Sequence, residues 1–190
     1  MARQPKTGAN SVLSVKVTLR GTKPPIWRRL LLPGALTLAD LHEAIQAAMG
    51  WKGGHLHAFD IDGRQYGDPR AVDDVANESR LTLNGVLKSG VTRFRYSYDF
   101  GDDWEHEVVV EKTLPAEAVK SVPACIAGKR NCPPEDCGGV WGYHELLEIL
   151  ADPAHPERAE RIEWLGEDFE PDDFSVEIAD ATLAARFHRK

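Results

Sequence analysis

The sequence predicts an α+β protein with a mixed, largely antiparallel sheet, and three patterns carry that prediction. Residues 12–20 alternate between apolar and polar side chains, as a half-buried strand does. Residues 37–50 place large apolar side chains at helical spacing behind a threonine cap. From Tyr143 onward the periodicity is helical and the composition is acidic. Strands that come first and helices that come last favour α+β over an alternating α/β order.

The N-terminal half predicts the order ββαββ. Residues 26–33 follow the first strand after a proline-containing turn and form a second strand. Thr37 is the expected N-cap of the helix, with Asp40 at its third position, and Gly50 ends it. The Asp62-Gly63 pair between extended residues indicates a tight hairpin. Further on, RLTLNGVL has the character of a strand.

The stretch YSYDFGDDWEHEVVVEK, residues 96–112, predicts a second hairpin. A three-residue loop, 101–103, pairs Tyr98 with His106 and gathers the aromatic residues, Phe100 included, on one packed face. The same register places Asp99 opposite Glu105 on the other face. The Asp-Phe-Gly triplet of protein kinases occurs here without the other kinase motifs, so we interpret it as coincidence.

The chain is expected to form a single domain over residues 1–190. Residues 11–115 should be mainly sheet with one helix, and residues 116–190 a Cys-rich loop followed by helices that Pro156 and Gly166 delimit. No apolar run reaches membrane-spanning length, and the N-terminus lacks the apolar core of a secretory signal. These observations predict a cytoplasmic protein without a membrane association.

The charge is distributed unevenly along the chain. Residues 1–39 carry seven Lys or Arg and no acid, although the net charge is -7. An acidic body repels nucleic acid, which argues against sequence-specific DNA binding. We expect instead that the basic N-terminal strands or the acidic C-terminal helices meet another protein, or attract each other.

Three cysteines lie close together in a loop rich in Pro and Gly. Their odd number in a cytoplasmic protein argues against a disulfide framework. With the histidine that follows them they form a set that zinc accepts, although the spacing lacks the usual C-x2-C knuckle. A structural zinc would also explain how this loop is ordered; the alternative is reduced, packed thiols. The predicted ligands are Cys125, Cys132, Cys137 and His144.

A second candidate site contains histidines and acids. His55 and His57 lie two residues apart, which places them on one face of a strand. Together with acids of the second hairpin they could form a hydrolytic metal centre. The alternative is that the histidines form local hydrogen bonds and that His106 is a core residue. The candidate catalytic residues are His55, His57, Asp99, Asp102 and His106.

Seven motifs occur in an order that resembles the plasmid pRiA4b ORF-3-like family. They are LRGTKPPIWRRLLLP, TLADLHEAIQAAMGW, HLHAFDI, YSYDFGDDWEHEV, CIAGKRNCPPEDCGG, WGY and FEPDDF. The resemblance covers roughly residues 11–185 and implies a compact α+β fold in proteins of bacterial and archaeal plasmids and mobile elements. Some members carry a resolvase-like name as passenger proteins of insertion elements. This chain shows neither the serine nor the tyrosine recombinase pattern. One departure is Asp180, where the resemblance implies Asn.

No catalytic set accompanies the resemblance. The leading hypothesis is therefore a non-enzymatic interaction or accessory module. A metal-dependent hydrolase or nuclease and a structural zinc-binding module are the alternatives.

Overall fold

The structure of the protein, a computed structural model, describes residues 11–119, 121–166 and 169–188. Its strands are β1 (Ser11–Leu19), β2 (Ile26–Pro33), β3 (His57–Ile61), β4 (Arg64–Gly67), β5 (Ala76–Asn77), β6 (Arg93–Tyr98), β7 (Trp104–Pro115) and β8 (Ala124–Lys129). Its α-helices are α1 (Leu38–Met49), α2 (Leu83–Lys88), α3 (Gly139–Ala151), α4 (Arg158–Leu165) and α5 (Val176–His188). Two short 3-10 turns occupy Glu78–Arg80 and Ala116–Ala118.

The eight strands form one sheet in the order β5-β4-β3-β6-β7-β1-β2-β8 within the described residues. Neighbouring strands are antiparallel except β4 and β5, which are parallel. The α+β class and the mixed, largely antiparallel sheet are therefore confirmed. The core lies between this sheet and the helices α1 and α5, and its apolar side chains come from β1, β2, β6 and β7 as well.

Helix α1 begins and ends where its sequence predicts. The Thr37 hydroxyl accepts a hydrogen bond from the Asp40 N–H at 3.2 Å, and the Asp40 carboxylate accepts one from the Thr37 N–H at 3.0 Å. This reciprocal pair satisfies two backbone donors that the first turn leaves unpaired. Gly50 ends the helix with a positive φ of 99°, a conformation that glycine adopts without a steric cost.

Two elements differ from the prediction. RLTLNGVL contains helix α2 because Thr82 caps it, accepting from the Gly85 N–H at 3.1 Å. Strand β8 lies in the segment predicted to be a Cys-rich loop, and it pairs with β2 along the sheet edge. Gly128 in β8 has a packing role, since a Cβ atom there would lie 2.4 Å from the Phe174 ring. Proline and glycine in this segment are therefore compatible with a strand: a proline precedes β8, and a glycine within it allows the close contact with Phe174.

The β6–β7 hairpin has a longer loop than predicted, residues 99–103. Tyr98 lies opposite Trp104, and Tyr96, not Tyr98, lies opposite His106. The shift is two residues, so every strand side chain stays on its predicted face. Phe100, however, lies in the loop and is 48% exposed, so its predicted place on the packed face is wrong.

The predicted pairing of Asp99 with Glu105 is also wrong, because Asp99 belongs to the turn and Glu105 faces Ser97. The turn forms because Asp99 adopts a left-handed conformation, with φ 56°, and its carbonyl accepts the Asp103 N–H at 2.6 Å. Aspartate, with its short polar side chain, is one of the non-glycine residues that tolerate the left-handed conformation.

The basic residues of β1, β2 and their connection are engaged within the chain. Arg20 contacts Glu105 at 2.6 Å, and Arg29 contacts Glu111 at 2.7 Å. The hydrogen bond from Arg29 holds the pKa of the Glu111 carboxyl below its ordinary value. Arg28 is buried and donates to backbone carbonyls. Arg20 and Arg29 thus neutralise two acids of the neighbouring β7.

Candidate metal centre

Three segments that are distant in sequence meet beside the β6–β7 turn. They are the bend before β3, the turn itself and the loop between β8 and α3. His55 Nδ1 lies 3.5 Å from Asp99 Oδ2, and His55 Nε2 lies 3.3 Å from Asp136 Oδ1. In the described part of the chain, this is the one group of three potential ligands whose donor atoms all lie within 4.8 Å of one another. The three motifs that contain these residues are all among those that carry the family resemblance.

The backbone of the turn positions Asp99. Its N–H donates to the Leu56 carbonyl at 2.8 Å, which ties the turn to the bend that holds His55. Its Oδ1 accepts the Gly101 N–H at 2.9 Å, so Oδ2 is the oxygen that faces the imidazole. A carboxylate held by backbone donors in this way is oriented before any ligand arrives.

The loop between β8 and α3 carries Asp136 and is fastened on both sides of it. The Tyr98 hydroxyl donates to Glu135 Oε1 at 2.5 Å, and burial followed by this carboxylate raises the pKa of Tyr98. On the other side, the Gly138 N–H donates to the Asp102 carboxylate at 3.2 Å. These contacts fix the position of Asp136 relative to the turn.

Gly139 completes the attachment of this loop. A Cβ atom there would lie 2.2 Å from the Asp102 carbonyl oxygen, far inside van der Waals contact, and the backbone φ is 67°. Only glycine fits both the close approach and the left-handed conformation.

The centre is closed on one side and open on the other. The Asp99 side chain is 12% exposed, whereas the Asp136 side chain is 72% exposed and His55 lies between them at 32%. One imidazole nitrogen and two carboxylate oxygens suit divalent cations such as Mn²⁺, Zn²⁺ or Mg²⁺. Three protein ligands leave further coordination positions, and the exposed side would direct these to solvent or to a ligand.

A proton is the alternative occupant of this site. A protonated His55 would place its two N–H groups between two carboxylates and would join the bend, the turn and the loop as a charged bridge. The two alternatives differ in a measurable quantity, because only the first binds a metal ion.

His57 does not join this centre, so its predicted place beside His55 is wrong. Strand β3 begins at His57, and His55 precedes it in a bend, where the two-residue periodicity of a strand does not apply. His57 Nε2 contacts Glu78 Oε2 at 2.8 Å, and its ring stacks on His42 with centroids 3.6 Å apart. Burial, followed by the charge of His57, lowers the pKa of His42 to about 3.

The remaining two catalytic candidates, His106 and Asp102, contribute to packing and to the attachment of the loop. His106 is fully buried beside Trp51 and Tyr96, and burial lowers its pKa to about 4. Neither of its ring nitrogens has a side-chain or backbone partner of good geometry among the described residues, although the Tyr96 and Trp104 backbones favour its charged form slightly. Asp102 fastens the Asp136 loop through Gly138. His106 does not contact the centre, whereas the Asp102 N–H donates to Asp99 Oδ1 at 3.4 Å and so helps to hold that carboxylate.

The four predicted zinc ligands do not come together. No three of their donor atoms form a compact group in the residues that the structure describes. Cys125 lies on β8, and His144 Nε2 contacts the Gly21 carbonyl at 3.1 Å. Burial raises the pKa of all three thiols, that of Cys137 to about 12, which favours neutral, packed cysteines. Zinc binding by this set stays a prediction that metal analysis can decide.

The residue that sequence reasoning missed is Asp136. It lies in the motif PPEDCGG, where Glu135 and Asp136 directly precede Cys137. Glu135 and Asp136 are the residues through which this loop reaches Tyr98 and His55.

A cavity of about 510 Å³ adjoins Asp136 and extends from the end of α1 to the end of α4. Its walls include Lys52, Pro133 and Trp164. The candidate metal centre and this cavity therefore share Asp136. Among the described residues, none of the helices combines the length and the apolar content needed to cross a membrane.

The protein is of the α+β class, and in it a hairpin turn and a Pro-Cys-Gly loop meet around one histidine and two acids. The chain belongs to the plasmid pRiA4b ORF-3-like family, whose model matches residues 11–178. It is 43% identical over 159 residues to the uncharacterized protein y4hQ of Sinorhizobium fredii, with 82% of this chain and 81% of that protein covered.

A solved structure has the same fold. It is the crystal structure of a protein of unknown function, MM3350 from Methanosarcina mazei Go1, with a TM-score of 0.83 and 39% identity. The match covers 90% of this chain and 98% of that one. These relatives are uncharacterized or of unknown function, so function has to be argued from the centre itself.

Proposed function

We propose that this protein is an accessory binding module that holds one divalent cation at His55, Asp99 and Asp136 and presents it to an oxyanion-bearing ligand. The observation that supports this is the convergence of three separate segments on one compact His-Asp-Asp group. A cation takes only one nitrogen of the His55 imidazole, so either the 3.5 Å contact at Nδ1 or the 3.3 Å contact at Nε2 would be a distance between neighbouring ligands, which ligand bonds of about 2.0–2.2 Å place about 3 Å apart. The other carboxylate then reaches the cation from within the 4.8 Å that the three donor atoms span.

The surroundings favour binding over catalysis. Hydrolysis at a metal requires a water that a nearby base or the metal itself activates. The acids next to the centre are Glu135 and Asp102, and both accept hydrogen bonds that fasten the loop. Because these acids already hold the loop in place, they favour a rigid binding site in which the cation itself contacts the ligand.

A metal-dependent hydrolase or nuclease is the second candidate, and the exposure of Asp136 favours it. A cation at this position would be accessible to substrate from the solvent side. Hydrolysis of bis-p-nitrophenyl phosphate in the presence of Mn²⁺, abolished by His55→Ala, would support this candidate over the binding module.

The test is a calorimetric titration of metal-free protein with Mn²⁺, repeated with Mg²⁺ and Zn²⁺. We expect one Mn²⁺ per chain and a loss of affinity of roughly tenfold or more in His55→Ala and in Asp136→Asn. Asp62→Asn is the matched control, because Asp62 is also an exposed aspartate with a positive φ, 53°, in a turn. No Mn²⁺ binding by the unmodified chain, or equal binding by Asp136→Asn, would refute the proposal.

Metal analysis of protein purified without chelators separates this site from the cysteines. Zinc that Cys132→Ser releases, while His55→Ala retains it, would assign a structural zinc to the cysteine set. Zinc or manganese that His55→Ala releases would support the centre proposed above.

A protein partner, which the charge distribution predicts, remains part of this proposal. Of the two predicted surfaces, the acidic C-terminal helices are favoured over the basic N-terminal strands. In the basic N-terminal strands, Arg20 and Arg29 already form ion pairs with Glu105 and Glu111. Helix α4 and its N-cap expose three acids, Glu157, Glu160 and Glu163, so this surface is the better candidate for a basic partner. A pull-down at physiological salt with Glu160→Lys as the variant tests it, and recovery of the same partners by both forms would count against this surface.

A further inference from the structure

We infer that the cavity beside Asp136 binds the base of a nucleotide whose phosphate completes the coordination of the cation. This inference rests on the proposed function, because the phosphate needs the cation. Asp136 connects the two, since its carboxylate faces His55 on one side and lines the cavity on the other.

The cavity has the size of a small-molecule site. Its volume of about 510 Å³ lies within the range of roughly 300–1,000 Å³ that such sites occupy. Its walls come from the end of α1, the loop 131–136, the end of α4 and Phe169. The residues that carry the argument are Lys52, Pro133, Glu135, Asp136, Trp164 and Phe169.

Its wall toward the loop is preformed. The Trp51 indole N–H donates to the Pro133 carbonyl at 3.0 Å, and the Lys52 backbone N–H donates to Glu135 Oε2 at 3.3 Å. Both bonds join the end of α1 to the loop, so a ligand would enter a site whose width is already set. A preformed site loses less conformational freedom on binding.

Two further aromatic residues line the cavity. Trp164, on the last turn of α4, is 47% exposed although it is one of the largest apolar side chains in the chain. Phe169 is the other. A partly exposed indole beside a proline-lined wall offers a flat surface on which a nucleobase can stack, an interaction that tolerates any base.

The charges identify the other half of the ligand. Glu135 and Asp136 would repel a phosphate from the metal-free protein. A divalent cation reverses the local sign, and cations held by one or two carboxylates commonly take phosphate oxygens as further ligands. Lys52, at the same cavity, adds a positive charge. Nucleotide binding should therefore require the cation.

ADP is the probe, with inorganic pyrophosphate as the same anionic group without a base. Calorimetric titration should show ADP binding to Mn²⁺-loaded protein and none to metal-free protein. Trp164→Ala should weaken ADP roughly tenfold while leaving the affinities for Mn²⁺ and pyrophosphate unchanged. Trp164→Phe, which keeps an aromatic ring, should recover most of the ADP affinity. The unchanged affinity of Trp164→Ala for Mn²⁺ shows that this variant folds.

Trp141→Ala is the matched control, because Trp141 is an 87% exposed tryptophan on α3 that does not line this cavity. A ten-residue oligoadenylate distinguishes free nucleotides from the end of a single strand: tighter binding of the oligomer assigns the site to nucleic acid, and weaker binding assigns it to nucleotides. If Mn²⁺ binds but neither ADP nor the oligomer does, or if Trp164→Ala binds ADP normally, the inference is wrong while the cation site stands. Failure to bind Mn²⁺ overturns both.

Discussion

The buried His106 should make the protein less stable in mild acid, and replacing it with leucine should remove that effect. Burial holds its pKa at about 4 in the folded state, against an ordinary value of 6.5 in the unfolded chain. Between these values the unfolded state binds a proton that the folded state does not. Stability due to this group is therefore complete above about pH 6.5 and decreases as the pH falls.

The magnitude follows from the width of that window. One pKa unit corresponds to about 1.4 kcal/mol, so the 1.5 pH units from 6.5 to 5 cost about 2 kcal/mol for His106. His42, whose pKa burial lowers to about 3, adds a loss of about the same size. We expect the unmodified protein to lose about 4 kcal/mol of unfolding free energy between pH 7.5 and pH 5 from these two groups, and His106→Leu to lose about half of that.

Urea unfolding followed by tryptophan fluorescence at pH 7.5, 6.5, 5.8 and 5.0 measures this. His188→Gln is the control, because His188 is exposed in the last turn of α5 and its replacement should leave the acid slope almost unchanged. At pH 7.5 His106→Leu should be about as stable as the parent, since leucine removes two buried ring nitrogens that lack good partners. An unchanged pH dependence in His106→Leu would refute the argument.

Three further substitutions test the fold around the centre. Gly139→Ala should destabilise the protein by more than about 2 kcal/mol in urea unfolding, because the new Cβ atom would collide with the Asp102 carbonyl. Gly166→Ala is the control: its φ is 74° and the space around it is open, so it should cost only about 1 kcal/mol. Equal losses of stability in the two variants would contradict the packing argument. Thr37→Ala should cost about 1 kcal/mol in the same assay through loss of the α1 cap, and no change would show that the cap is replaceable. Tyr98→Phe should cost about 1–3 kcal/mol, because it leaves a partly buried carboxylate without its donor, and should increase amide exchange in the loop that carries it; unchanged exchange would show that the hydroxyl does not fasten the loop.

Features that depend on neighbouring residues could be predicted from the sequence. Helix α1 was predicted from its cap and periodicity, and the Asp62-Gly63 hairpin from a pair that favours positive φ at both positions. The faces of β6 and β7 followed from alternation alone. In each case the determining contacts lie within a few residues, so the linear pattern contains them.

The register of the second hairpin depended on a distant contact. Asp99 leaves the strand because its N–H donates to the Leu56 carbonyl, and no local pattern contains that partner. The centre had the same limitation. His55 and Asp99 were predicted to be close, and they are, but Asp136 reaches them through a loop whose path depends on Tyr98 and Gly139. Residue type identified two of the three members, and only tertiary packing identified the third.

The carboxylate of Asp180 on α5 accepts the Cys125 N–H of β8 at 2.7 Å, and β8 is an edge of the sheet. An open edge with unpaired N–H groups is where a second molecule can add a strand and begin aggregation. Here a helix from the end of the chain covers that edge, and the opposite edge, β5, is only two residues long. Asp180, where the family resemblance implies asparagine, therefore satisfies one backbone N–H of this edge, and an amide oxygen could accept the same bond. We expect truncation before α5 to expose the edge and to increase aggregation of the protein.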